Sequence, residues 1–164
     1  MEIFCRGNSF EIRGKCNRER IKIITNSSSL KIENDTSFLI DEPGEYEVRG
    51  VIIRAMPYTG NRFFLIKMEE IKVCYIGFFD KEFSPSQTEA LIGTDIFLTP
   101  GWNKEIAKIA KKINPKIIVK PQSPKEDEGF LKQEGIVKDV KKLKIKKPEL
   151  EKTEGTRMIL MKES

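Results

Sequence analysis

Two groups of carboxylates are the most direct candidates for chemistry in this sequence. Asp80 and Glu82 follow the apolar run KVCYIG, and Asp41 and Glu45 flank the turn DEPGE. Carboxylate oxygens alone can hold Mg²⁺ or Ca²⁺. In a chain with 34% charged residues, however, acidic side chains in polar loops are usually solvated. We therefore expect no cofactor, and a divalent metal held by Asp41, Glu45 and Asp80 is the alternative.

Histidine is absent from the sequence, which removes the commonest metal ligand and the commonest acid-base catalyst near neutral pH. The cysteines Cys5, Cys16 and Cys74 are odd in number and lack C-x-x-C spacing, so we expect free thiols in a reducing compartment. Cys74 lies inside an apolar run, which favours a small core residue over a nucleophile. The chain therefore offers little for acid-base or nucleophilic catalysis.

Positive charge is concentrated in the last third of the chain. The residues from 104 onward hold 17 of the 30 Lys and Arg but 10 of the 25 Asp and Glu. Lys142, Lys144 and Lys146 could form a basic surface that binds phosphates, which makes nucleic-acid binding an alternative function. Their alternation with Leu143 and Ile145 is typical of an edge strand protected by charge, and we favour that interpretation.

The first half of the chain predicts antiparallel strands. Short runs rich in Ile, Val, Phe and Tyr are separated by Gly, Asn, Asp, Ser or Pro. The strands predicted in this way are EIFC, SFEIRG, RIKIITN, SLKIE, TSFLID, YEVRGVIIRAM, RFFLIKM and KVCYIG. The last two flank Glu69 and Glu70, which predicts a hairpin.

After KVCYIG the pattern changes to alternating helices and strands. Ser84 as N-cap, Pro85 at the first helical position and Gln87 in a capping box predict a helix that ends near Gly93. The strand DIFLTP, the amphipathic helix NKEIAKIAKKINP and the strand KIIVKP follow. A helix near positions 125 to 133 and the strands KLKIKK and TRMILMK complete the chain. This order predicts an α/β (α+β) arrangement.

Several segments, taken in order, resemble one protein family. They are GNSF near the start, PGEYEVRGV, KVCYIG with the following SQTEALIGTDIFLTPG, NPKIIVKPQ, and KLKIKKPEL with EGTRMILM. Together they resemble the lactonase-like branch of the metallo-β-lactamase superfamily, a group of Zn-dependent hydrolases. The resemblance implies an αββα sandwich, truncated between Ile24 and Phe38, with a metal site at one edge where loops from both sheets meet. The length of 164 residues fits a single domain over residues 1–164.

The metal ligands implied by this resemblance are missing. Asn8 stands where the N-terminal G-H-S motif has histidine, Phe78 stands where an aspartate would follow Gly77, and Gln122 replaces the strand-ending histidine. The H-x-H-x-D-H segment is shortened to NSSSLKIEND. We expect Phe78 and Phe79 to fill the former ligand cavity, because burying an apolar ring stabilises a fold by about 2 kcal/mol.

These losses predict a pseudoenzyme, a non-catalytic protein that acts as a binding or structural module. A metal-dependent hydrolase with a rebuilt carboxylate site and a nucleic-acid-binding protein are the alternatives. The sequence does not identify the partner, and a homo-oligomer is one option. No apolar run approaches the roughly 20 residues that span a bilayer, and the N-terminal residues lack a signal-peptide pattern. We therefore expect a cytoplasmic protein with no membrane contact.

Overall fold

Six strands form the first of two β-sheets in the computed structural model, which describes residues 1–34, 36–58, 61–78, 81–123 and 135–164. The strands are β1 (Glu2–Arg6), β2 (Ser9–Cys16), β3 (Glu19–Thr25), β4 (Leu30–Glu33), β5 (Ser37–Ile40) and β13 (Leu143–Lys144). They lie in the order β13-β1-β2-β3-β4-β5, and every neighbouring pair is antiparallel. The predicted antiparallel strands at the start of the chain are thus confirmed.

Eight strands form the second sheet. They are β6 (Gly44–Val48), β7 (Val51–Tyr58), β8 (Asn61–Met68), β9 (Ile71–Ile76), β10 (Ile96–Leu98), β11 (Ile117–Pro121), β12 (Ile136–Val140) and β14 (Arg157–Met161). Their order is β12-β14-β11-β10-β9-β8-β7-β6. The strands from β6 to β9 pair antiparallel, whereas β9, β10, β11, β14 and β12 run parallel. The predicted hairpin at Glu69 and Glu70 is confirmed, and both residues have positive φ.

The main core lies between the two sheets. Alternate residues of each strand point inward, so Ile3, Ile12 and Ile23 form one buried row across the first sheet. Ile66 and Val73 belong to the facing side of the second sheet and are buried in the same cluster. The sequence of β2 shows the same alternation, since Phe10 and Ile12 are apolar whereas Glu11 and Arg13 are charged.

Two helices, α1 (Pro85–Leu91) and α2 (Lys104–Ile113), cover the outer face of the second sheet. The predicted start of α1 is confirmed: the Ser84 hydroxyl accepts from the backbone N–H of Gln87, and the Gln87 carboxamide oxygen accepts from the backbone N–H of Ser84. The apolar face of α2 packs on the sheet and consists, as predicted, of Ile106, Ile109, Ala110 and Ile113. Within the described ranges no helix is both long and apolar enough to cross a membrane.

The structure corrects two strand predictions. The run YEVRGVIIRAM forms not one strand but β6 and β7, because Arg49 and Gly50 both adopt positive φ and reverse the chain in a two-residue turn. Within the run KLKIKK, only Leu143 and Lys144 form a strand, which is β13. The run then leads into a short helix, α3 (Lys147–Glu151). Leu150 of α3 enters the core between the sheets.

The structure also contains a strand that the sequence analysis missed. β12 was not predicted because Asp139 interrupts it with a positive φ of 61°, and its pairing with β14 shifts register between Val137 and Val140. The helix predicted near positions 125 to 133 lies outside the described residues.

The outer face of the first sheet carries charged side chains in place of helices, as far as the described residues show. Glu11 pairs with Arg6 and with Arg13, and both guanidinium groups lie over the Phe4 ring. The predicted sandwich of two sheets is confirmed, with α1 and α2 on the outer face of the second sheet. Ion pairing replaces apolar burial on this face.

A second group of ion pairs continues across the same face. Glu33 of β4 binds Lys22 of the neighbouring β3 and Lys31 of its own strand. The hydrogen bonds from Lys22 and Lys31 lower the pKa of the Glu33 carboxyl to about 2. Cross-strand pairs of opposite charge stabilise a sheet, so these contacts hold β3 and β4 in register.

Gly14 of β2 lies close to Met68 of β8 across the core. A Cβ at this position would lie 2.6 Å from Cε of Met68, which is fully buried in the core. We predict that Gly14→Ala lowers the free energy of unfolding by about 1 to 3 kcal/mol, because the core must shift to admit the methyl group. Urea denaturation measures this change.

Gly77→Ala is the matched control for that measurement. A Cβ at Gly77 would make only an ordinary contact, 3.4 Å from Cα of Ser27. A loss of stability in Gly77→Ala as large as that in Gly14→Ala would contradict the explanation by close packing of the two sheets.

The lowered pKa of Glu33 predicts a pH dependence of stability. A carboxyl whose pKa is lowered by folding stabilises the fold above its unfolded pKa, and this contribution is lost as the pH falls through the folded pKa. The window for Glu33 therefore runs from about pH 4.5 down to about pH 2. Glu33→Gln should flatten the stability profile in this window, measured by urea denaturation at several pH values. Glu154→Gln, at an exposed position, is the control; equal profiles for both variants would contradict the prediction.

Candidate functional site

Loops from both sheets meet at one edge of the sandwich, which we call the site edge. The carboxyl ends of the parallel strands β9, β10, β11, β14 and β12 all lie there, where ligand sites of α/β sheets usually form. The first sheet contributes the β1–β2 and β3–β4 turns. A Cβ at Gly77, after β9, would lie 3.4 Å from Cα of Ser27 in the β3–β4 turn, and Arg62 donates to the carbonyl of Ser28 at 3.1 Å.

The shortened segment NSSSLKIEND forms a tight turn followed by a strand. The backbone N–H of Asn26 donates to the carbonyl of Ser29 at 2.8 Å, and β4 begins at Leu30. The Asn26 side chain also accepts from the Ser9 hydroxyl at 2.9 Å, which ties this turn to the start of β2. The resemblance implies a ligand-bearing loop at this segment. The structure instead shows a turn that leads into a strand of the first sheet.

Asn8 lies at the tip of the two-residue turn between β1 and β2. Gly7 before it has a positive φ of 61°, as the first central residue of such a turn often does. The Asn8 side chain is exposed. Its position completes a tight hairpin and leaves its amide facing water.

Phe78 follows Gly77 on the loop after β9, and its side chain is 53% exposed. The expectation that it fills a buried cavity is therefore wrong. Its ring lies against Gly101, where an added Cβ would come within 2.8 Å of the Phe78 ring. The Phe78 ring therefore lies on the surface and covers the backbone at Gly101, after β10. Phe79 lies outside the described residues.

Gln122 directly follows β11 and binds Asp139 of β12 at two points. Nε2 of Gln122 donates to Oδ1 of Asp139 at 3.2 Å, and the backbone N–H of Asp139 donates to Oε1 of Gln122 at 2.9 Å. Lys162 also binds the Asp139 carboxylate, at 2.8 Å. Hydrogen bonds from Lys162 and Gln122 lower the pKa of Asp139. The glutamine thus holds the irregular part of β12 in place.

The candidate carboxylates do not form a metal site in the part of the chain that the structure describes. Asp41 is exposed after β5, and Glu45 pairs with Arg54 at 3.6 Å. Asp80 lies outside the described residues. A search of the described residues finds no group of three or more His, Cys, Asp or Glu that could hold a metal ion.

The thiols offer no activated nucleophile. Cys74 is completely buried, as predicted, and burial strongly raises the pKa of its thiol. Burial, with a smaller contribution from Glu163, raises the pKa of Cys5 to about 11. A nucleophilic cysteine needs a lowered pKa, so both residues are core residues with free thiols.

One charged residue near the site edge was not singled out by the sequence analysis. Lys120, in the apolar run KIIVK of β11, is completely buried, and its ammonium group donates to the carbonyl of Pro121 at 3.2 Å. The signal available in the sequence was a lysine inside a run predicted to be buried, because lysine is rarely buried without partners.

The three lysines of the predicted basic surface lie away from the site edge. Lys142 and Lys144 both approach Oε1 of Glu2, at 3.5 and 3.9 Å, and Lys146 is the N-cap residue of α3. β13 is an edge strand of the first sheet, as the alternation predicted. Because Glu2 partly neutralises this cluster, the contacts favour edge protection over phosphate binding.

Comparison with solved structures finds the same arrangement of sheets and helices elsewhere. A crystal structure from Thermotoga maritima, of a protein provisionally described as a Zn-dependent hydrolase of the metallo-β-lactamase superfamily, matches with a TM-score of 0.76 over 99% of each chain. The chain has the metallo-β-lactamase fold. The sequence identity is 21%, so the likeness establishes the fold alone. No known sequence family matches the chain, and no curated protein matches it either.

The residues at the three positions where the resemblance implies metal ligands do not fit zinc. Zinc in proteins is held by imidazole, thiolate and carboxylate groups. Asn8 and Gln122 present carboxamides, and Phe78 presents a ring without a donor atom. The Gln122 carboxamide is also committed to Asp139. We therefore derive no step through a metal ion at these positions.

The contacts of Gln122 predict a structural role for this residue. Gln122→His should lower the free energy of unfolding by about 1 kcal/mol, because it removes both hydrogen bonds between Gln122 and Asp139 and leaves Lys162 as the partner of the Asp139 carboxylate. Asn8→His, at an exposed turn, should change stability by less than about 0.5 kcal/mol. Thermal and urea denaturation of both variants measure the difference. Equal stability of the two would contradict the role assigned to Gln122.

Proposed function

We propose that this chain is a pseudoenzyme of the metallo-β-lactamase fold, a non-catalytic protein that acts as a binding or structural module. The observation that carries the proposal is the two-point hydrogen bonding of Gln122 to Asp139. A residue at a ligand position that is already bound to its own fold is not free to coordinate a metal.

The other two ligand positions support the same proposal. Asn8 faces water at a hairpin tip, and the Phe78 ring has no donor atom. Metal-assisted hydrolysis needs a bound ion that lowers the pKa of water. Because all three positions lack suitable ligands, recovery of the activity would need several substitutions at once.

The exposure of Phe78 favours a binding role at the site edge. Half-exposed aromatic side chains on loops are enriched where proteins recognise partners. The Phe78 ring is supported from below by Gly101, so it is presented on a packed surface. This arrangement suits recognition of an apolar group by contact.

We further propose that the chain acts as one domain in the cytoplasm. The core between the sheets includes buried residues from both, which supports a single folding unit. The free thiols of Cys5, Cys16 and Cys74 are typical of a reducing compartment.

The proposal is tested by metal analysis and by hydrolase assays on the purified full chain. Elemental analysis after incubation with zinc, followed by dialysis, should find no stoichiometric metal. Phosphodiester and lactone substrates should show no turnover above the buffer rate with zinc, magnesium or manganese added. A zinc hydrolase of the same fold serves as positive control.

Stoichiometric metal together with metal-dependent hydrolysis would overturn the proposal. The variants Asp41→Asn, Glu45→Gln and Asp80→Asn then locate the site. Loss of hydrolysis in these variants would assign activity to a rebuilt carboxylate site, the alternative that the sequence analysis left open.

A further inference from the structure

In the described part of the chain, the two sheets end in four edge strands, and three of these carry features that discourage pairing with another chain. β13 carries Lys144, and β6 carries Glu45 and Glu47 on its exposed side. β12 carries the register shift at Asp139. Charges and bulges are the usual means by which natural sheets protect their edges.

The fourth edge strand, β5, has neither charge nor bulge. Its sequence SFLI pairs regularly with β4 on one side, and in the described part of the chain no strand pairs with its other side. Phe38 is 44% exposed and Leu39 is 55% exposed. The alternation of the strand places these two residues on opposite faces of the sheet, so β5 presents apolar surface on both.

The neighbours of β5 leave Phe38 and Leu39 partly exposed. On the core side, the Phe38 ring makes an edge contact with Tyr46 of β6, with ring centroids 6.4 Å apart. On the outer side, Leu39 lies opposite Lys31, whose ammonium group is bound to Glu33. Tyr46 and Lys31 therefore already have partners of their own, while among the described residues no strand pairs with the outer backbone groups of β5.

We propose that β5 is a self-association surface, where the strand pairs antiparallel with β5 of a second copy of this chain across a two-fold axis. Centred on Leu39, this register sets Leu39 against its counterpart, Phe38 against Ile40 and Ser37 against Asp41. Each pair shares one face of the joined sheet. The first sheet would then run through both copies as twelve strands.

The self-complementarity of β5 favours a second copy at this edge, because the two-fold register sets apolar side chains against apolar side chains. The register centred on Leu39 brings no like charges opposite each other. The equivalent pairing of β6 would set Glu45 against Glu47 of the other copy, which is destabilising. β5 is thus self-complementary where β6 is not. The proposal does not depend on the absence of catalysis at the site edge.

The size of the strand sets the expected strength of the contact. β5 has four residues, so strand pairing alone forms a small interface, and small interfaces are weak and transient. We expect a monomer–dimer equilibrium that depends on protein concentration.

Analytical ultracentrifugation of the full chain over a wide concentration range tests the proposal. The wild-type protein should shift from monomer towards dimer as its concentration rises. Leu39→Lys, which adds the charge that β13 already carries, should weaken the dimer by about tenfold or more. Ile52→Lys is the matched control, because Ile52 is 50% exposed on β7, an internal strand of the other sheet, and it should leave the equilibrium unchanged. Circular dichroism confirms the fold of both variants.

A cysteine variant tests the register independently of stability. Leu39→Cys should form a covalent dimer under mild oxidation, since directly opposed residues place their Cβ atoms about 4.5 to 5.5 Å apart. Ile92→Cys, at an even more exposed position after α1, should give no more covalent dimer than the wild-type protein.

Three results would overturn the proposal. The first is a monomer at every concentration, and the second is a dimer that persists in Leu39→Lys. The third is growth into larger polymers in place of a closed dimer, because a two-fold contact closes on itself.

Discussion

The two sheets of this protein must bury their inner faces against each other, and the other features of the fold follow from that requirement. Every second residue of a strand points to one face, so rows such as Ile3, Ile12 and Ile23 become continuous apolar surfaces once the strands are paired. Neither sheet can leave such a surface in water. The close approach at Gly14, against Met68, shows how tightly the two surfaces fit.

The outer faces of the two sheets are covered by different physical means. Helices α1 and α2 bury the outer residues of the second sheet in a further apolar cluster. The first sheet carries ion pairs such as those of Glu11 and Glu33 in its described surroundings. Exposed ion pairs contribute little stability each, so their main effect is to make this face compatible with water. The free edge of β5 lies beside this charged face. The strand β5 itself contains no charged residue.

The position of the site edge is set by the backbone and does not depend on the side chains that the loops carry. Parallel strands bring their carboxyl ends to one edge whatever side chains the loops carry, because backbone pairing and the core set the strand order. Asn8, Phe78 and Gln122 accordingly occupy loops at this edge, although none of the three is a suitable zinc ligand. Gln122 is hydrogen-bonded to Asp139 at two points, and the Phe78 side chain lies on the surface. Gln122 therefore has a structural contact, whereas Phe78 is part of the surface.

The sequence by itself determined the local features of this protein. Capping at Ser84, the hairpin at Glu69 and the apolar stripe of α2 depend on residues only a few positions apart, so the pattern predicted them correctly. The absence of histidine likewise needed no structure. Tertiary structure alone decided the rest: the strand β12, the partner of Gln122, the exposure of Phe78 and the burial of Lys120. These depend on contacts between residues distant along the chain, since Asp139 meets Gln122 only after β11, β14 and β12 have paired. Local propensity carries no information about which distant backbone will supply a hydrogen bond or cover a side chain.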